Sequence, residues 1–407
     1  MKKKTLWTKN FTIISLGTLI SAVGGVAMNL GLSLVVFDRT QSTWLTGFFA
    51  AVSMIPGMTL PILLGPAIDH ANRKHMIVAL DALSGVCYLA FLAYIRAYGF
   101  VYGAYVAFSL ILGCIGSVYS LAYQSLYPDM IPEGFAQQGY AISGMIYPLA
   151  TTLVTPLAAL VYERCGVETI FLLEGALLLT AAAFESQIDH CPEKRKGAQS
   201  LREYGQDILE GFRYLKREKG MRSIYSYMMI TNAAGNGVGL MAMSHFQTSS
   251  VLTNAMYGLL TSAETLGRLI GSAVHYLFKI PEEKRYALTV RVYMIYEACD
   301  GLMLFMAYPV MLVLRFACGF LGSQTAALRS AAVQNYLPQD MRARVYGLFD
   351  VLASLGMMTV QMGVGVLGEV MAYRHVALLM AALSLAANLL LIVRNKRHVE
   401  PIYNWKV

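Results

Sequence analysis

The chain has 407 residues, of which 57% are apolar and only 14% charged, with a formal net charge of +8. A soluble domain is about one-quarter charged, so this composition excludes a water-exposed enzyme, a disordered scaffold and a small secreted disulfide domain. Mean hydropathy, at +0.53, points the same way, and whether the basic excess means nucleic-acid binding depends on where the basic residues sit.

Apolar runs of about 20 residues, the length that crosses a bilayer as a helix, recur along the whole chain. Twelve are predicted, at roughly 11–37, 43–66, 76–95, 101–122, 137–162, 168–185, 223–247, 254–278, 286–306, 309–333, 345–371 and 375–393. The opening Met-Lys-Lys-Lys resembles a secretory signal, but the apolar run behind it continues to Phe37 and reads as the first span. Spans three and four, and nine and ten, are only a few residues apart, as antiparallel hairpins require. Backbone that faces lipid must satisfy its own hydrogen bonds, so the spans are expected to be helical.

The basic residues follow this map. With the N-terminus inside, 24 of the 32 Lys and Arg residues fall in cytoplasmic segments. Only Arg39, Arg96, Arg164 and Arg374 fall outside, and Arg268, Arg291, Arg315 and Arg329 lie within spans. The asymmetry places both termini in the cytoplasm and explains the net charge without nucleic acid. The six cysteines show no metal-ligand spacing, and free packed thiols are expected.

The longest polar stretch, 186–222, divides the spans six and six. It gives three predicted parts: an N-terminal half at 1–185, a cytoplasmic linker at 186–222, and a C-terminal half with a short tail at 223–407. In the linker, Ser200 and Glu203 make a capping-box pattern. Leu201, Tyr204, Ile208, Phe212 and Leu215 then recur at helical spacing among basic residues. This predicts an amphipathic helix on the cytoplasmic membrane face, with a solvated linker helix as the alternative.

The halves repeat at one offset of about 206 positions. GPAID (65–69) falls on GSAVH (271–275), Gly113 and Gly116 fall on Gly319 and Gly322, and IPEGFAQQGYAI (131–142) falls on LPQDMRARVYGL (337–348). Parallel six-span repeats of this kind build many secondary transporters, with substrate held at the midplane.

At this point the residues resemble the major facilitator superfamily across essentially the whole chain. GPAIDHANRKHM (65–76) is similar to that family's loop between spans two and three: Gly65, Asp69, Arg73 and Lys74 match, while His70 and Asn72 depart from it. LYPDMIPEGFAQQ (126–138), EGFRYLKREKGMRS (210–223) and LPQDMRARVYG (337–347) resemble the branch that contains the enterobactin exporter and macrolide-efflux proteins. The antiporter pattern of span five is reduced here to TPLAA (155–159), which keeps Pro156 and lacks the glycines. The resemblance implies an all-α membrane fold of twelve helices in two pseudo-symmetric six-helix halves.

The loop reads as a cytoplasmic gate. Asp69 is expected near the N-terminus of span eleven, just beyond Arg342 and Arg344, where a carboxylate meets the positive end of a helix dipole. Arg73 is expected to pair with Asp129. The alternative is that these charges only mark the cytoplasmic boundary.

Charges inside spans are functional by default. Asp81, Glu174 and Glu185 lie in the first half, Asp81 and Glu185 towards its cytoplasmic boundary. The second half carries Glu264, Arg268, Arg291, Glu297, Asp300 and Arg315. Glu264 and Arg268 share one face of span eight. Asp300 and Arg315 lie at equal depth in a tight hairpin, and Glu297 has no obvious partner. Arg315 also opens an Arg-x-x-x-Gly (315–319) that resembles the family's proton-coupling motif of span four; its first-half equivalent here is Ser109. A proton-coupled carrier needs a carboxyl tuned by burial against a nearby cation. One of Glu264, Glu297 and Asp300 is therefore expected to carry the proton, with Arg268 and Arg315 as partners; ion pairs that only fix packing are the alternative.

Asn29 in span one and Asn232 and Asn236 in span seven are the candidate substrate contacts, because the family lines its cavity with those spans; hydrogen bonding between helices is the alternative. Gly235–Gly239 has no strand before it, and the chain contains no phosphate-binding loop or His-Glu-x-x-His. No enzyme activity, cofactor or metal is expected. The sequence reads as a multi-pass carrier of the plasma (inner) membrane that works by alternating access, with a small-molecule substrate, a proton or other coupling ion, and a monomeric state. Its predicted job is proton-coupled efflux of a small amphiphile such as a drug, a macrolide-like compound or a siderophore. Uptake by symport, flipping of a lysolipid-like molecule, and a membrane sensor that has lost transport remain open.

Overall fold

A computed structural model of the chain describes residues 5–69, 72–132, 135–189, 201–277 and 280–404. Among these there is no strand. The helices in chain order are α1 (Lys9–Thr40), α2 (Thr43–Asp69), α3 (Arg73–Tyr98), α4 (Tyr102–Met130), α5 (Ala136–Glu185), α6 (Leu201–Arg217), α7 (Lys219–Thr248), α8 (Asn254–Leu277), α9 (Glu282–Leu302), α10 (Tyr308–Tyr336), α11 (Gln339–Val370), α12 (Tyr373–Ala387) and α13 (Lys396–Tyr403). A 3-10 turn (Met303–Phe305) follows α9, and a π-helical segment (Asn388–Val393) continues α12.

Each predicted span falls on a helix to within a residue or two, except that 286–306 runs through the 3-10 turn and 375–393 ends in the π-helical segment. Local signals set the ends. Asn72 caps α3 by accepting from the His75 N–H at 3.2 Å. Gly99, at φ 72°, closes the same helix by donating its N–H to the Ile95 carbonyl. Pro281 and Pro338 stand at the N-caps of α9 and α11. The fifth and sixth spans both lie in α5, which is broken at Gly166, where φ 74° and ψ 175° require glycine.

Among the described residues, seven helical stretches are long and apolar enough to cross a membrane: α1, Thr43–Leu60, α3, α4, Met145–Glu185, Val351–Val370 and Tyr373–Val393. Helices α7, α8 and α9 carry many of the polar residues of the second half, including Asn232, Asn236, Glu264, Arg268, Glu297 and Asp300.

The chain forms two compact units. One comprises residues 1–40 with 52–201; the other comprises 41–51, the start of α2, with 202–407. In the first, a ring cluster holds α3, α4 and α5 together. Phe91 stacks on Phe108 at 4.0 Å, and Phe108 meets Phe171 at 5.6 Å. In the second, Ile224, Tyr227, Tyr293, Val345, Ile392 and Ile402 form part of one buried core joining α7, α9, α11, α12 and α13.

The predicted linker helix is α6. Leu215 is buried in the second unit's core, whereas Leu209 and Phe212 stay exposed. The Ser200–Glu203 capping box lies outside the described residues, as do the side chains of Leu201, Tyr204 and Ile208. Cys87, Cys114, Cys165, Cys299 and Cys318 are free thiols.

Candidate functional site

The site in the second unit begins with glycines. Gly267 on α8 faces the Phe316 carbonyl of α10, and Gly319 on α10 faces the Glu264 carbonyl of α8, with no room for a Cβ on either. Small residues let helix backbones approach this closely. Glu264 and Arg268 flank Gly267 on α8, and Arg315 sits one turn before Gly319 on α10. The crossing therefore brings those side chains together.

The result is one network. The Glu264 carboxylate takes Arg268 on one oxygen and Arg315, at 2.5 Å, on the other. Arg315 also donates to Asp300 of α9 at 2.5 Å. The two pairs expected from sequence are thus fused through Arg315, two carboxylates balanced by two guanidiniums. Asp300 is 2% exposed, Arg315 14% and Arg268 61%. The first two form a buried anchor, while Arg268 reaches outward.

Glu297 lies one turn before Asp300 on α9 and is 4% exposed. Its partners are neutral: the Thr231 hydroxyl donates at 2.8 Å and the Tyr227 hydroxyl at 3.4 Å, both from α7. No ion pair involves it among the described residues.

A cavity of about 570 Å³ opens beside these groups, within the second unit. Thr231, Asn232, Arg268, Tyr293, Tyr296 and Arg329 contribute to its wall. Its size falls within the roughly 300–1,000 Å³ of small-molecule sites. Asn232 faces the cavity. Asn236 instead donates to the Asn232 carbonyl at 2.9 Å and approaches the Met357 sulfur at 3.2 Å. Asn29, in the first unit, is exposed on α1 and does not line this cavity.

Sequence reasoning missed Thr231, Tyr227 and Tyr293, which carry no charge to draw the eye. It counted Arg329 among the in-span charges without a role. The structure gives Arg329 to the cavity wall, with its Nη1 donating to the Tyr293 hydroxyl at 3.3 Å.

Of the gate residues, Arg73 is buried, with Nη1 3.8 Å from Asp129 Oδ2. Lys74 is half-buried at the start of α3. Gly65 and Asp69 end α2, and Arg342 and Arg344 lie in the first turns of α11; their side chains are outside the described residues. Ser109, in the position related by repeat to Arg315, shares a 2.5 Å hydroxyl contact with Ser53.

The sequence profile of the Major Facilitator Superfamily matches residues 10–296, more than half of the chain. The chain belongs to the major facilitator superfamily. Among curated relatives, the multidrug efflux pump Tap of Mycobacterium tuberculosis (strain ATCC 25618 / H37Rv) is 21% identical over 355 residues, covering 84% of this chain and 83% of Tap. Among solved structures, the nucleoside transporter NupG superposes with a TM-score of 0.70 at 13% identity, covering 96% of this chain and all of NupG. A bacterial homologue of the iron transporter ferroportin, in an inward-facing state, gives 0.69 at 15% identity, covering 99% and 100%. Those likenesses establish the transporter fold. The protein is a membrane-embedded transporter of a small molecule, not an enzyme.

Proposed function

We propose that this transporter exports a small amphiphilic molecule, drawing on inward proton flow, by alternating access between halves at 1–185 and 223–407 joined by the 186–222 linker. It acts in the plasma membrane with both termini in the cytoplasm. The observation that carries the reading is the contrast on α9. Asp300 is bound into a charge-balanced network, whereas Glu297, one turn away, is buried with neutral hydroxyl partners, both of which line the cavity.

Among the carboxyls around the second unit's cavity, a lone one in such a place is the one that changes protonation at least cost, because burial disfavours its charge and no guanidinium holds it ionised. Glu297 is therefore the proton carrier. Glu264, Asp300 and Arg315 hold the α8–α9–α10 arrangement around it, and Arg268, which is exposed, offers the cavity a positive charge beside that of Arg329. Asn232, Thr231 and the tyrosines contact substrate. The name of the Tap relative supports the outward direction. Gly65, Asp69, Arg73, Lys74, Asp129, Arg342 and Arg344 are the residues of the cytoplasmic gate.

The test uses everted vesicles with an acid interior and a pH-sensitive dye, to which macrolides, dyes and siderophores are added. Compound-evoked loss of the gradient in the wild type, abolished by Glu297→Gln, is the expected result. A gradient indifferent to every compound that binds the purified protein overturns the export reading.

A further inference from the structure

A second cavity, of about 280 Å³, lies wholly inside the first unit, among α1, α3, α4 and α5. Asp81 and Glu174 line it together with Tyr88, Tyr119, Tyr123 and Tyr147. Among the described residues no Lys, Arg or His does. Glu185 stands behind the wall, with the Tyr119 hydroxyl donating to it at 3.4 Å. The three carboxyls are 4%, 3% and 0% exposed. From sequence they looked like scattered charges, two of them near the membrane boundary; the fold gathers them.

These acids have almost nothing to bind. Asp81 accepts one long bond from Ser21, at 3.4 Å. Glu174 Oε2 and Glu185 Oε2 are buried without a hydrogen-bond partner among the described residues. Helix α1 presents Gly24 to Glu174 and Gly17 to Glu185, which makes room for these two carboxyls, and neither glycine has a side chain to donate. The contrast with the second unit is direct, because there Glu264 and Asp300 each hold a guanidinium.

We propose that this cavity binds a small organic cation, a protonated or quaternary ammonium group, whose charge supplies what Asp81 and Glu174 lack. Aromatic faces within about 6 Å of such a charge add attraction, and they suit a cation whose charge is spread over carbon. A bare metal ion fits less well: no three His, Cys, Asp or Glu side chains converge to hold one among the described residues. The inference deepens the export reading, on which its role as a substrate subsite rests, by giving the cargo a positive charge.

The test is equilibrium binding to the purified full-length protein in detergent. The probes are benzyltrimethylammonium and neopentylbenzene, an uncharged molecule of the same shape. The wild type is expected to bind the ammonium at least about tenfold more tightly, a difference that a positive charge beside buried carboxylates readily supplies. Asp81→Asn and Glu174→Gln are each expected to weaken ammonium binding at least about tenfold. Glu168→Gln, which removes an exposed acid of the same unit that pairs with Arg96, leaves it unchanged.

Equal affinity for the two probes, no binding of the ammonium, or binding that survives both cavity substitutions overturns the proposal. If the cavity variants do not survive purification, the comparison of probes on the wild type decides alone. Ammonium binding without proton-linked transport keeps this inference and removes the export reading. Proton-linked transport without ammonium binding does the reverse.

Discussion

Arg315 is the residue on which the second unit's buried charge depends most. It contacts Glu264 and Asp300 at 2.5 Å each, and replacing it with Gln leaves Asp300, 2% exposed, without its ion-pair partner while Glu264 keeps Arg268. Removing one member of a buried pair costs about 3–5 kcal/mol, mostly the burden of the charge left behind. For a unit of roughly 200 residues each kcal/mol moves the melting temperature by about 2–4 °C, so Arg315→Gln is expected to lose about 6–20 °C. Adding Asp300→Asn removes the stranded charge and should recover at least about half of that loss. Arg268→Gln, at a side chain 61% exposed, should cost no more than about 1 kcal/mol. The assay is intrinsic-fluorescence melting of purified protein in detergent at one fixed scan rate, since membrane proteins of this size often unfold irreversibly. The reasoning fails if Arg315→Gln is no worse than Arg268→Gln, or if the double variant melts lower than the single one.

Three further outcomes follow from other contacts. Asp69→Asn and Asp129→Asn should each slow turnover while leaving substrate binding intact; turnover equal to wild type removes both from the gate. Glu369 accepts from Ser42 Oγ at 2.6 Å and from the Trp44 N–H at 3.0 Å, at the N-terminus of α2. A charge so placed is worth about 0.3–1 kcal/mol, so Glu369→Gln should speed hydrogen exchange at the Trp44 amide about two- to fivefold, and unchanged exchange contradicts the cap. On the first unit's surface, the hydrogen bond from Lys9 holds the Asp189 carboxyl below the usual carboxylate range. A group depressed in this way stabilises the fold above its ordinary pKa of about 3.9 and loses that effect as pH falls through the folded value. Lys9→Ala should therefore raise the Asp189 pKa towards about 3.9, read by carbon-13 NMR, and a fixed value would rule out the pairing.

Much of the fold was legible because lipid imposes a simple code. Long apolar runs had to be helices, and Gly, Pro and Asn at their ends gave the boundaries that Asn72, Gly99 and Pro338 show. The pairing of Glu264 with Arg268 was legible from a four-residue spacing, and that of Asp300 with Arg315 from equal depth in a hairpin. Their fusion was not, because it depends on how closely α8 and α10 approach, which Gly267 and Gly319 set in three dimensions. The same limit hid the first unit's acid cavity. Asp81, Glu174 and Glu185 belong to two helices far apart in the chain, and only the glycines of α1 reveal that a third helix makes room for them. Neutral groups such as Thr231 left no trace in the sequence at all, although Thr231 links Glu297 to the cavity wall.

The claim that most needs a direct measurement is that Glu297 couples proton entry to substrate exit. The protein would be reconstituted into liposomes with a compound that passes the vesicle assay, and two fluxes compared: uphill accumulation under an imposed pH gradient, and gradient-free exchange of labelled for unlabelled compound. Wild-type protein should support both, and Glu297→Gln should keep exchange while losing accumulation. Accumulation that persists in Glu297→Gln at the wild-type level would contradict the assignment and return that carboxyl to helix packing.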